Sequence, residues 1–108
     1  MINEILKTLE PLGVPVEFQE YTGFATTYIT FFFYNEFGSE FADDEEIATD
    51  YSLQVDIWSK GGYTALTEKI KAALKEIGYR RSFASDFYEK DTKIYHKVLR
   101  FRHTEVLV

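Results

Sequence analysis

The stretch "TTYITFFFYNEF", Thr26 to Phe37, constrains this chain more than any other. Successive side chains of a strand point to opposite sides, so a strand with one wet face alternates apolar and polar residues. Here Ile29, Phe31 and Phe33 load one face, while Tyr28, Phe32 and Tyr34 load the other. Both faces of the resulting sheet carry aromatic surface that needs a cover. A chain of 108 residues is of single-domain size, 1–108, and holds little material for a second covering layer.

That material can be located along the chain. Ile2, Ile5, Leu6 and Leu9 form one helical stripe, which stops at Pro11 and Gly13. "VPVEFQEY" reads as a short strand, with Pro15 suited to an edge or a strand start. The aromatic strand runs from about Ala25 to Tyr34. "EFGSEFADDEEIA" has no sustained period, and the spacing predicts a long mobile loop over about 36–48. From Asp50 the alternation is regular: Tyr51, Leu53, Val55 and Ile57 against Asp50, Ser52, Gln54 and Asp56. After "KGG" a helix follows from about Tyr63 to Ile77, with Leu66, Ile70, Ala73, Leu74 and Ile77 on one side and Gly78 as its stop. Tyr79, Phe83 and Phe87 alternate along the next strand; after the turn at "EKD", Tyr95, Leu99 and Phe101 share a face of the last one.

The order α-β-β-β-α-β-β predicts an α+β, sandwich-like domain: a mainly antiparallel sheet of about five strands with two helices on one face. One core should hold Leu53, Val55, Leu66, Ile70, Leu74 and Leu99. Two short helices cannot wrap both sides. The second face is closed by the chain's own loop, left as exposed Tyr and Phe, or buried against another protein. Large exposed apolar patches mark interaction surfaces, so self-assembly or partner binding is the leading general expectation.

Catalytic chemistry finds little support. His96 and His103 are seven apart on one strand, hence on opposite faces, and read as two surface or rim histidines rather than metal ligands. No Gly-x-Ser-x-Gly elbow occurs, and "SKGGY" has neither Walker nor Rossmann spacing. Asp43, Asp44, Glu45 and Glu46 lack the spacing of an EF-hand and read as a solvated run. No enzyme, cofactor or metal site is expected. With 12 Lys+Arg against 18 Asp+Glu, the formal charge of −6 argues against a sequence-independent nucleic-acid clamp. No window approaches the ~20 apolar residues of a membrane span. The polar start "MINEILKTLEPLG" is unlike a signal peptide, and there is no cysteine, so a cytosolic product is expected.

Some residues stand out as interface candidates. Trp58 ends its strand on the polar-facing side, where it either folds back over the sheet edge or anchors a partner. Phe37 and Phe41 flank Gly38 in the long segment after the aromatic strand. With Tyr28, Phe32 and Tyr34 they complete the candidate surface. Arg100 and Arg102 share a face with His96 and are expected to pair with carboxylates, within the subunit or across a subunit boundary.

"YSLQVDIWSKGGYTALTEKIKAALKEIGYRR", followed by "DFYEKDTKIYHKVLRFR", resembles the small tail-completion or tail-terminator proteins of long-tailed bacteriophages and prophages. The pattern is a strand ending in Val55-Asp56-Ile57-Trp58-Ser59, a Gly-containing turn, and a helix closed by Gly78-Tyr79. An acidic hairpin at Tyr88 to Thr92 then leads to Arg100-Phe101-Arg102. The resemblance covers roughly Asp50 to Arg102. It implies a structural subunit without catalytic residues that forms a ring, typically hexameric, in the virion tail after assembly in the host cytoplasm. The ring would cap the tail-tube protein and meet the head-connector protein, with DNA passing through and not specifically bound. The competing expectation is a small cytosolic regulatory or ligand-binding module of ferredoxin-like shape.

Overall fold

A computed structural model describes residues 1–42 and 45–106, with the backbone alone for Phe37 and for 39–42. Helix α1 (Ile2–Leu9) runs into a 3-10 turn (Glu10–Leu12). Strands β1 (Val16–Phe18), β2 (Thr27–Ala42) and β3 (Glu45–Ser59) follow, then helix α2 (Thr64–Glu76) and strands β4 (Arg80–Glu89) and β5 (Ile94–Val106). The five-stranded sheet has the order β1-β2-β3-β5-β4. It is mixed: β1 pairs parallel to β2, and every other pairing is antiparallel. The α+β class and the mainly antiparallel sheet hold; the parallel β1 and the 3-10 turn are details that the expected order lacked.

Periodicity explains both helices. In α1, Ile5 and Leu9 face inward, with Glu4 in the first turn and Lys7 in the last, as the helix dipole favours. In α2, Thr67, Ile70 and Leu74 are buried. Its end is fixed by Gly78, at φ +96°. The Gly78 N–H donates to the Lys75 carbonyl at 3.1 Å and the Tyr79 N–H to the Leu74 carbonyl at 3.0 Å. This is the paired-bond helix stop that a left-handed residue permits, and a Cβ at Gly78 would sit 2.9 Å from His103 Cε1.

Both helices cover the same face. Ile5, Leu9, Ile70 and Leu74 pack on Ile29, Phe31, Leu53, Val55, Ile57, Leu99 and Phe101, with Leu66 at the margin. The two-faced reading of the aromatic strand is met: Ile29 and Phe31 are buried and Phe33 packs on this core, while Tyr28, Phe32 and Tyr34 point away from it.

The expected long loop at 36–48 is corrected. β2 and β3 run through it as paired strands, Glu36 opposite Tyr51, Gly38 opposite Thr49 and Ala42 opposite Glu45. Register shifts after Phe33, Gly38 and Glu40 break the alternation, which is why no period appears in the sequence. Asp43 and Asp44 lie outside the described residues. Among the described residues β5 pairs with β3 as far as Ala48 opposite Val106, and beyond it β2 and β3 pair only with each other, as a short two-stranded arm. The described chain spans 54 × 26 × 24 Å.

Strand β4 carries a second correction. A register shift between Arg81 and Phe83 puts Phe83 opposite Arg100 and Phe87 opposite His96, on the helix-free side, while Tyr79 stays in the core. One extra residue reverses which side a strand presents.

Candidate functional site

The helix-free face is built in rows across the strands. Tyr28, Trp58, His96 and Phe87 are register partners on β2, β3, β5 and β4. Tyr21, from the link between β1 and β2, stacks on Tyr28 with centroids 4.3 Å apart. Trp58 follows at 6.2 Å from Tyr28, and His96 lies 3.7 Å from Trp58 with an 11° interplanar angle. Phe87 closes the row at 5.8 Å from His96. Neighbouring strands are about 4.8 Å apart, so rings stacked from strand to strand stand upright on the sheet. They present edges outward and offer no flat platform for a sugar or a base.

A polar line runs beside these rings. Trp58 Nε1 donates to Thr30 Oγ1 at 3.0 Å. His96 Nε2 meets Asp56 Oδ1 at 2.7 Å, Gln54 Nε2 donates to the same oxygen at 3.0 Å, and Arg100 Nε donates to Gln54 Oε1 at 3.0 Å. A carboxylate as buried as Asp56, 4% exposed, is tolerable only with such partners. Among the described residues no buried side-chain polar atom lacks a partner. His96 is therefore no rim histidine but a half-buried strut between β3 and β5. His103 does lie on the opposite face, stacked on Tyr79 at 4.7 Å, its Nδ1 donating to the Gly78 carbonyl at 3.1 Å. Among the described residues no group of three or more His, Cys, Asp or Glu is placed to hold a metal ion.

Among the described residues Arg100 pairs with no carboxylate of its own subunit. Its guanidinium lies 5.0 Å from the Tyr34 ring and 5.3 Å from the Phe83 ring, a cation-π arrangement. Among the described residues the ion pairs are Lys71–Glu68 and Lys97–Asp86, beside the His96–Asp56 contact, and no arginine takes part. On the helix side, Asp86 accepts from the Tyr63 hydroxyl at 2.6 Å and from Lys97 Nζ at 3.0 Å. The Tyr63 bond, then Lys97, hold the Asp86 carboxyl below its usual range, and the same bond pushes Tyr63 up to about 12. This exposed clip joins the start of α2 to the outer strands.

The interface candidates separate on this geometry. Tyr28 and Trp58 are half-buried members of the ring row. Phe32 is half-buried on the same face, opposite Gln54. Tyr34 is exposed at 40%. Phe37 lies on β2 opposite Asp50 and Phe41 on the arm opposite Glu46, with side chains outside the described set. Sequence reasoning missed Phe83 and Phe87, 44% and 53% exposed on the same face, because of the β4 register shift. It also missed Phe24, wholly exposed in the link that bears Tyr21. Its setting "YTGFATT", small residues around a lone Phe with no helix or strand period to bury it, is the available signal.

No curated protein matches the chain. The family described as tail completion protein gp17 matches residues 21–104, well over half of it. The matched span opens at Tyr21, the first ring of the row, and takes in Trp58, His96, the Asp56 network and Arg100. On that match the chain belongs to the tail completion protein gp17 family, a family of bacteriophage tail assembly.

Proposed function

We propose that this chain is a tail-terminator subunit: copies form a ring, a hexamer in its simplest form, that caps the finished tail tube and receives the head connector. The observation that carries the reading is the aromatic surface left exposed. Tyr34, Phe83 and Phe87 stand in solvent on the sheet face opposite the helices, and Phe24 stands wholly exposed in the link before β2. In a tail-completion protein such a surface has natural occupants: a neighbouring subunit, the tail-tube protein, or the connector. Phe32 and Tyr34 face partners directly and Tyr28 and Trp58 support that face from within; Phe37 and Phe41, further along β2, are the remaining interface candidates.

The role is structural and calls for no catalytic group, cofactor or metal. The charge of −6 suits a conduit through which DNA passes without sticking, since like charge repels the polyanion. The subunit assembles in the host cytoplasm and ends in the virion tail. Electron microscopy of tails made by the encoding phage or prophage, with and without this gene, tests the reading. Loss of the gene should leave uncapped tubes of irregular length beside DNA-filled heads. Normal, joined virions without it would overturn the proposal.

A further inference from the structure

Charge divides this chain sharply. From Thr8 to Ser59 there are eleven Asp and Glu and no Lys or Arg, while Lys60 to Arg102 holds eleven Lys and Arg against five Asp and Glu. The fold turns that division into two separate surfaces. The acidic part supplies β2 and β3, where Glu36 is exposed and, on the arm, Glu45 and Glu46 are exposed. The basic part supplies β4 and β5, and all four arginines gather there.

Arg80, Arg81 and Arg102 line an open concavity of about 630 Å³ beside His103. Arg80 stands directly opposite Arg102 across the β4–β5 pair. Like charges at directly opposed positions are destabilising. Among the described residues no carboxylate of the same chain forms an ion pair with either. Such a corner is suited to an anion from outside the subunit.

We propose that the arginine corner of one subunit receives the acidic arm of the next. The proposal rests on the ring reading and names the surfaces that would close it. From Ser52, beside Arg102, to Glu45 strand β3 runs on by seven residues, about 23 Å at strand rise, the last three of them beyond Ala48 on the arm. That distance keeps Glu45 and Glu46 out of ion-pair range of their own corner and available to a neighbour. Arm and corner lie on different sides of the sheet, β2–β3 against β5–β4. Their contact is therefore head-to-tail, the kind that closes into a ring when the rotation between subunits allows it. DNA fits the corner poorly, because a polyanion lying there would run along the acidic arm.

The test is charge exchange, read by native mass spectrometry and sedimentation of the full chain. One variant carries Glu45→Arg and Glu46→Arg; the other carries Arg80→Glu and Arg102→Glu. Each alone should associate about 100-fold more weakly than the parent chain, as opposed like charges require. A mixture of the two should assemble again, since each arm then finds a complementary corner. Parent assembly should also weaken between 0.05 and 0.5 M salt, on the order of the change in screening. A milder Arg80→Gln, Arg102→Gln pair, checked by thermal melt, serves if the reversed corner fails to fold; it too should assemble less.

A parent chain that assembles, with both variants assembling equally well, overturns this interface and leaves the ring reading standing. Variants that assemble normally but no longer cap tails assign the corner to a tail or connector protein, which likewise overturns it. A parent chain that stays monomeric at every concentration and salt overturns both readings.

Discussion

The two faces of the sheet are closed by different means. On one, α1 and α2 lay aliphatic side chains over Ile29, Leu53, Val55, Ile57 and Leu99, all fully buried. On the other, no helix arrives among the described residues; upright rings lean on one another across strands and shield Thr30, Asp56 and Val98. The first face is closed by volume, the second by lateral contact between its own side chains. A face closed laterally keeps Trp58 and His96 half-buried while Tyr34, Phe83 and, at the end of the row, Phe87 remain in solvent. The proposed assembly would use that difference, with one sheet serving as both core and interface.

Substitutions test the contrast, and the largest effect belongs on the helix face. Leu74→Ala should cost about 2–5 kcal/mol in chemical denaturation, because it empties a site where α2 meets the sheet. A cost near zero would mean that the helix face is not the stabilising one. Trp58→Ala should fall below that, at about 1–3 kcal/mol, from lost stacking on His96 and the lost bond to Thr30. A cost equal to that of Leu74→Ala would erase the distinction between the two kinds of closure.

The clip at Asp86 should give the smallest effect. Its carboxyl is held low by Tyr63 and Lys97, so its contribution is present above the usual value of 3.8 and fades as pH falls through the lowered one. The group is exposed and screened by solvent, so the contribution is small. Asp86→Asn should therefore flatten the acid limb of a melting-temperature profile slightly and leave the neutral-pH value nearly unchanged. A large drop at neutral pH would instead make the clip a main support of α2.

Much of the helix face was legible from spacing. Leu66, Ile70 and Leu74 with Gly78 located α2 and its end, and the alternation from Tyr51 to Ile57 oriented β3, because buried apolar residues must keep the period of their element. The helix-free face was half-legible. Tyr28, Phe32 and Tyr34 were assigned to it correctly, yet Phe83 and Phe87 were not, since a one-residue register shift leaves no compositional mark. The acidic arm was unreadable for a similar reason: three irregularities within 33–41 scramble a two-residue period. His96 looked peripheral because a histidine's partner, here Asp56 forty residues away, is set by strand pairing alone. The division of charge between the two halves of the chain was open to reading from the start and points at the arm and the corner together.

The central claim is that the exposed aromatic residues, on the helix-free side and in the link before β2, serve assembly rather than folding. The most direct measurement pairs a thermal melt with a tail-completion assay for Phe24→Ser, Tyr34→Ser and Phe83→Ser. Phe24 is wholly exposed and Tyr34 and Phe83 are 40% and 44% exposed, so each variant should melt within a few degrees of the parent chain. Ring formation and the yield of joined virions should nevertheless collapse, because large aromatic residues at the centre of an interface carry most of its energy. Variants that melt normally and complete tails as well as the parent chain would contradict the account.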